Sequence, residues 1–289
     1  MARAPGDHVI TVRRMRFEYP SDIDPVVVDG EPEESAVIVG LSLLLPYLEP
    51  YLVRSAHEAK RFIRDPDLVL QVDQFNAQEG QHYRQHAAFN AALRLPGIDK
   101  LRRLESDVDA DYKRFSRTRT LRWNLAYAEG FEAFTSAMAR FSFDTGRVFR
   151  LRPEVRDLWA WHLVEELEHR TVAFDVYDHV YGGYFYRLAV GLYAQWHLNR
   201  FVLRAADIML KADRVAFRER FGGVRRGLQR TLPQLWLMTT RLLPKILATY
   251  LPWYTPHRID MPASARALAE QYTGLAAQKP LAPDEPVGT

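Results

Sequence analysis

Trp161-His-Leu-Val-Glu-Glu-Leu-Glu-His169 is the stretch on which the reading of this chain turns. On a helix, His162, Glu166 and His169 fall at i, i+4 and i+7, so all three side chains leave from one face. A helix normally buries apolar residues along such a face. Two imidazoles and a carboxylate gathered there point to a metal ion, for which nitrogen and carboxylate oxygen are common donors. The competing reading is ordinary. In a chain with nine His, a Glu three or four residues from a His is a frequent surface pair. The rest of the chain has to decide.

Composition narrows the chemistry. The 289 residues are 47% hydrophobic and 26% charged, the profile of a folded globular protein with a large core. A formal net charge of +3, with no block of Lys or Arg interleaved with aromatics, argues against nucleic acid as a partner. The absence of Cys removes disulfides, thiolate zinc sites, iron–sulfur clusters and cysteine nucleophiles. A metal must then be held by carboxylate and imidazole, which suits iron, manganese or zinc. The polar N-terminus carries no apolar signal region, so a cytoplasmic location is expected.

The chain pattern is helical after a short start. Residues 1–32, with Pro5, Pro20, Pro25 and Pro32, predict an extended arm with a small strand pairing near Val26–Val28. Residues 33–278 predict a single all-helical domain, and the Pro-rich residues 279–289 a disordered tail. The first helix carries Glu49 among Leu and Tyr, between Pro46 and Pro50, which should kink or restart it. Asp65-Pro66 is a helix start, an N-cap followed by proline at the first helical position, and that helix should reach about Leu95. On it Val72, Phe75, Glu79, His82 and His86 form one stripe. A surface helix over 98–115 and a long helix over 118–143, with Glu129 and Glu132, follow. The opening stretch lies in a helix expected over 153–181, closed by Gly182-Gly183. Residues 184–250 predict two helical segments meeting near Gly222-Gly223, and 264–275 a last short helix. Residues 232–253 are apolar but broken by Arg241, Lys245 and three prolines; they suit a core or interfacial helix and a peripheral membrane contact better than a clean span.

Four long helices thus each bring a carboxylate to an apolar region, in the order Glu49, Glu79/His82, Glu132, Glu166/His169. One Glu from each of two helices and Glu-x-x-His from each of two others is the pattern of ferritin-like dimetal carboxylate bundles. A lone Glu-x-x-His says little; the ordered set says much more. The fold expected is therefore an all-α, ferritin-like four-helix bundle around two metal ions, extended by C-terminal helices.

Phe75-Asn-Ala-Gln-Glu-Gly-Gln-His-Tyr-Arg-Gln-His86 with Asn90 behind it, and Trp161 to Tyr177, resemble the signatures of a bacterial family labelled "predicted metal-dependent hydrolase". The resemblance covers about Phe17 to Met261. It implies Glu132 rather than Glu129 as the third-helix ligand, in the setting Phe131-Glu132-Ala133-Phe134-Thr135; where the family has His after that Glu, this chain has Ala133. The ligand helices are also similar to those of the dimetal arylamine N-oxygenases, in which a third histidine joins the site. That likeness implies a nitrogen-rich centre able to activate O2.

The candidate ligands are then Glu49, Glu79, His82, Glu132, His162, Glu166 and His169, against the plainer alternative of buried interhelical ion pairs. His162 is either a ligand or a group that orients one, and His86 a third nitrogen ligand or a partner behind one. Asp175, six residues after His169 and off the ligand line, is expected behind the ligands or in a helix–helix contact. Glu165 points about 100° away from Glu166 and is expected not to ligate; Glu168 and Arg170 are expected as solvated charges or a local pair. Trp159, Trp161, Phe75 and Phe131 are core residues that could wall the site. The leading expectation is a di-iron enzyme using O2 to oxidise a small hydrophobic substrate, with an electron-donor protein and a homodimer as the partners that chemistry admits. A hydrolase using two metals as Lewis acids is the alternative. A non-catalytic metal-binding bundle is the third.

Overall fold

A computed structural model describes residues 10–278. Among these residues the secondary structure is helical, with no strand longer than single bridges pairing Ile23 with Leu93 and Val28 with Leu151. Of the small strand pairing expected near Val26–Val28, the chain makes only the single bridge of Val28 to Leu151. Residues 1–9 and the tail expected to be disordered, 279–289, lie outside the described residues.

Four helices build the bundle: α1 (Pro32–Ala59), α2 (Pro66–Ala92), α4 (Leu121–Asp144) and α5 (Pro153–His169). The connecting helix α3 (Ile98–Thr118) packs on the outside of α1. Start signals act where the sequence placed them. Asp65 caps α2 by accepting from the Asp67 amide at 2.9 Å, ahead of Pro66, and Thr120 caps α4 through the Trp123 amide at 3.3 Å. By length and composition α1 is apolar enough to cross a membrane, but its most apolar window is 67% buried, packed on α2 and on the long helix α7 (Tyr184–Lys211).

Two glycines let helices come close. A Cβ on Gly130 of α4 would stand 2.3 Å from the Gly191 Cα of α7, and one on Gly40 of α1 would stand 2.9 Å from the Val202 carbonyl. Both crossings with α7 therefore exclude any larger side chain without a backbone shift. Gly130 lies between Glu129 and Glu132, so this close contact also sets how deep α4 sits.

Three expectations are corrected. First, α1 does not restart at its prolines. Pro46 lacks an amide hydrogen, which frees the Ser42 carbonyl four residues earlier. Asn90 of α2 donates its Nδ2 to that carbonyl at 2.9 Å, so the helix continues with the lost bond replaced from its neighbour. Second, the helix expected over 153–181 breaks after His169. The Arg170 guanidinium donates to the Leu167 carbonyl, and α6 (Val172–Val180) begins after Thr171. Third, α7 ends at Lys211, well before the glycines. Asp213 caps a separate α8 (Arg214–Phe221) through the Val215 and Ala216 amides, and α9 (Val224–Leu237) follows Gly222-Gly223.

The apolar stretch after Pro233 runs through a five-residue π-helical turn, Met238–Leu242, into α10 (Leu243–Thr249). Most of it lies outside the core: Leu235, Trp236 and Trp253 are exposed, while Leu242 and Thr249 are buried. The final helix α11 (Ala263–Gln278) returns to pack on α5.

Candidate metal centre

The bundle buries seven of the candidate residues in one place. Glu49 (α1), Glu79 and His82 (α2), Glu132 (α4), and His162, Glu166 and His169 (α5) are each at most 3% exposed. Two groups have donor atoms close enough for a single cation: Glu49, His82 and His162, and Glu79, Glu166 and His169, each with all donor atoms within 4.8 Å of one another. That separation matches two donors on opposite sides of an ion at about 2.0–2.3 Å each. The groups interlock. Glu166 Oε1 is 3.0 Å from His162 Nε2 and 3.6 Å from His169 Nε2, and Glu79 Oε1 is 3.3 Å from His82 Nδ1 and 3.4 Å from His169 Nε2. Glu132 belongs to neither tight group, but its Oε2 is 3.3 Å from His169 Nε2.

The fit to a cation rests on the hydrogen-bond partners of these histidines. Gln78 donates its Nε2 to the Thr11 carbonyl and to Glu168, so its Oε1 faces His169 Nδ1, at 3.0 Å, as an acceptor. Nδ1 of His169 therefore carries the hydrogen, and Nε2 presents a lone pair to Glu79, Glu132 and Glu166. Glu165 accepts from His82 Nε2 at 3.1 Å, which leaves the His82 Nδ1 lone pair toward Glu79. For His162 the chain is longer. The single hydroxyl hydrogen of Ser42 goes to Asn90 Oδ1 at 2.6 Å, so His86 Nδ1 donates to Ser42 Oγ at 2.8 Å. His86 Nε2 then accepts from His162 Nδ1 at 2.8 Å, and His162 Nε2 presents its lone pair to Glu166 and Glu49. Each lone pair faces carboxylate oxygen, which also has only lone pairs to offer. Something positive has to stand between them.

The orphaned atoms say the same. Both oxygens of Glu49, Glu79 and Glu132, Oε2 of Glu166, Nδ1 of His82 and Nε2 of His169 are buried without a hydrogen-bond partner. Buried polar atoms in native proteins are nearly always satisfied, and a cluster of exceptions calls for an ion. Four carboxylates beside neutral imidazoles carry the charge that two divalent cations cancel.

Protons can supply part of that positive charge. Burial, then the neighbouring Glu79, Glu166 and Glu132, pushes Glu49 well above the usual carboxylate range. Burial and Glu166 raise Glu132 to about 8. Burial opposes charge on His82, but the hydrogen bonds to Glu165 and Glu79 prevail and lift it to about 9. Burial likewise opposes charge on His169, yet the Glu166 and Glu132 carboxylates hold it well above its ordinary value. His86 goes the other way: burial, with His162 and His82 beside it, keeps it neutral.

Around the cluster stands a second layer. The two motifs are related by a near-symmetric exchange, because the residue preceding each motif's Glu holds the other motif's His: Glu165 holds His82, and Gln78 holds His169. Glu165 also accepts from Trp161 Nε1 at 2.9 Å and from Arg13 Nη1 at 3.2 Å. Arg13 reaches Glu168 through two nitrogens, at 2.9 and 2.7 Å. The arm that carries Arg13 is laid down by α2: Gln78 donates to the Thr11 carbonyl, while Gln85, two turns on, donates to the Met15 carbonyl and accepts from the Phe17 amide. Phe75 packs edge-on against His169, Trp161 edge-on against His82, and Trp159 beside His86 and His162. These three wall the site as expected; Phe131 is buried core.

Sequence reasoning missed part of this layer. Glu168 and Arg170 are not solvated; they are 8% and 5% exposed. Glu165 does not belong to either cation group, as expected, but it is fully buried and orients His82. Asp175 does not stand behind the ligands; it sits in the first turn of α6 and pairs with His257 at 2.8 Å. Glu129 is set apart from the ligands by its ion pair with Arg187 at 2.6 Å. The overlooked signal was positional: Gln78 and Glu165 occupy the same place in their two motifs.

A model of the family described as predicted metal-dependent hydrolase matches residues 11–260, and the chain belongs to that family. No curated protein and no solved structure matches the chain.

Proposed function

We propose that this member of the predicted metal-dependent hydrolase family hydrolyses a small, largely apolar ester, amide or phosphate at a two-metal centre. The residues holding the ions are Glu49, Glu79, His82, Glu132, His162, Glu166 and His169. The observation that carries the reading is the convergence of three imidazole lone pairs on buried carboxylates that have no other partner. Two divalent ions in such a site lower the pKa of a shared water toward neutrality and polarise the oxygen of the scissile group.

The chain's own residues do the rest. Glu79 and Glu166 each approach histidines on both sides of the cluster and hold the two positions at a fixed separation. Glu165 and Gln78 fix the tautomers of His82 and His169, so each ring offers a lone pair without reorganising. Trp159, Trp161 and Phe75 exclude water from the faces of the imidazoles. Arg13 pairs with both Glu165 and Glu168, offsetting one of the two charges of the outer layer and keeping those carboxylates apart from the inner four.

A second reading is oxygen activation by two irons. It is favoured by one observation, the placement of Glu-x-x-His on α2 and α5 with a further Glu from each of α1 and α4, the donor arrangement of di-iron and di-manganese bundles. One experiment separates the two. The protein loaded in turn with zinc, manganese and ferrous iron is assayed without O2 against p-nitrophenyl acetate, p-nitrophenyl butyrate and bis-p-nitrophenyl phosphate. Turnover that Glu166→Ala abolishes supports hydrolysis. No turnover with any metal, together with O2 uptake by the ferrous protein, replaces it with the second reading.

A further inference from the structure

We infer that a cavity between α4 and the chain segment 244–259 is the substrate-binding site, and that it takes a small amphiphile with an apolar body and an anionic head. The cavity opens to the surface, has a volume of about 390 Å³ and is walled on one side by Ala133, Ser136, Ala137 and Arg140. These residues follow at three, one and three, so they form one face of α4. Glu132 lies four residues before Ser136 on that same face, which sets the inner end of the cavity one helical turn from the metal cluster. Its size is in the range of small-molecule sites.

Three features specify the occupant. Small side chains at 133 and 137 leave room beside α4, and the opposite wall is apolar, with Leu251, Trp253 and Tyr254. Ser136 is 1% exposed, and its hydroxyl has no hydrogen-bond partner. It is an unsatisfied polar atom in the wall of the cavity. Arg140, Lys245 and Arg258 supply three cations to the lining, and no acidic residue lines it. Asp144 lies 2.7 Å from Lys245 and 3.7 Å from Arg140, so the group as a whole keeps a positive excess. An anionic head is drawn to these cations, and the apolar body lies against Leu251 and Trp253.

The inference deepens the hydrolytic reading by naming its substrate class, and it rests on that reading only for the role of the bound molecule. Binding is therefore measured by itself, by calorimetry on the full chain with sodium decanoate, and with decanamide as the neutral counterpart. Decanoate should bind with one site per chain and decanamide at least tenfold more weakly. Ala137→Trp should abolish binding, and Trp253→Ala, at a position 68% exposed where folding is not at stake, should weaken it about tenfold. Metal content should stay unchanged in both variants. Decanoate affinity unaltered in Trp253→Ala and in a folded Ala137→Trp overturns the site, and equal affinity for decanamide overturns the anionic head. Decanoate bound normally by a protein that takes up no metal refutes the two-metal reading and leaves the cavity standing.

A different observation carries a second proposal. Residues 220–259 contain no Asp or Glu; Arg220, Arg230 and Lys245 pair with Asp24, Glu33 and Asp144, which leaves Arg225, Arg226, Arg241 and Arg258 as the remaining cations of the segment. Along α9, Val224, Leu228, Leu232 and Trp236 recur every four residues and are 52–82% exposed. We propose that this face lies on an anionic lipid bilayer, with its apolar stripe at the acyl boundary and the arginines at the headgroups. Sedimentation with phosphatidylglycerol-containing vesicles should retain the protein at low salt and release it at high salt, with pure phosphatidylcholine retaining at least tenfold less. The Leu228→Asp/Leu232→Asp double variant should lose retention. Absence of vesicle binding, with a dimer in light scattering that the same double variant dissociates, would assign the face to a second copy instead.

Discussion

The two Glu-x-x-His motifs stand in matching places on α2 and α5, and their surroundings are not alike. His82 is held by a carboxylate, Glu165, and its cation group is completed by His162 and Glu49. His169 is held by the neutral amide of Gln78, and its group is completed by carboxylates, Glu79 and Glu166, with Glu132 close by. One position is rich in nitrogen and backed by negative charge; the other is rich in oxygen and backed by an amide. A carboxylate behind an imidazole raises its basicity as a ligand. The two positions should therefore differ in affinity and in preferred metal, with the nitrogen-rich one suited to zinc or iron and the oxygen-rich one to manganese. Two ions of unequal character, held by these residues, would supply the polarisation that the proposed hydrolysis calls for.

The largest expected effect comes from removing what the positions share. Glu166→Ala should drop the metal content measured by plasma mass spectrometry from two per chain to near zero, with helical circular dichroism retained; one full equivalent remaining would mean that Glu166 serves only one position. Next comes the relay that exists on one side alone. Ser42→Ala breaks the chain through His86 to His162, and should weaken metal binding at the nitrogen-rich position by about 10–100-fold while sparing the other. Two-phase chelator competition reads both constants, and equal weakening of the two would remove the distinction. Exchanging the backing groups is subtler. Glu165→Gln should lower affinity at the nitrogen-rich position by roughly tenfold, whereas Glu165→Asp should recover part of it.

The smallest effect is on pH. In the metal-free protein Glu132 is raised from 4.5 to about 8 and His82 from 6.5 to about 9. A raised folded pKa means stability that is fully present below the unfolded value and is lost as pH climbs to the folded one. The thermal midpoint of metal-free protein should therefore fall between pH 5 and pH 9, and added metal, which replaces those protons, should restore it most at the alkaline end. A midpoint that rises over that window would contradict the proton assignments.

The inner layer of the site was legible because its logic is local. Glu79 and His82, or Glu166 and His169, sit one turn apart on one helix face, and periodicity alone places them together. The outer layer was not, because it is made by contacts far apart in sequence. Glu165 and Glu168 project away from the ligand line and read as solvent-facing if α5 has one buried side. In the fold α5 is covered on both sides, by α2 and α4 inward and by the N-terminal arm and α11 outward, so Arg13 meets Glu168 across 155 positions. Pro46 shows the same limit in reverse. Its missing hydrogen bond was legible, but the partner that replaces it, Asn90, comes from α2. Of the two places expected for Asp175, the one behind the ligands fails because the helix carrying them ends at His169, and its phase is not kept into α6.

The most direct measurement is anomalous diffraction at the absorption edge of the bound metal, on crystals of protein purified without chelator. Two peaks are predicted, one beside His162 Nε2, His82 and Glu49, the other beside His169, Glu79 and Glu166. A single peak, no peak, or a His162 ring turned so that Nδ1 faces the ion would contradict the account.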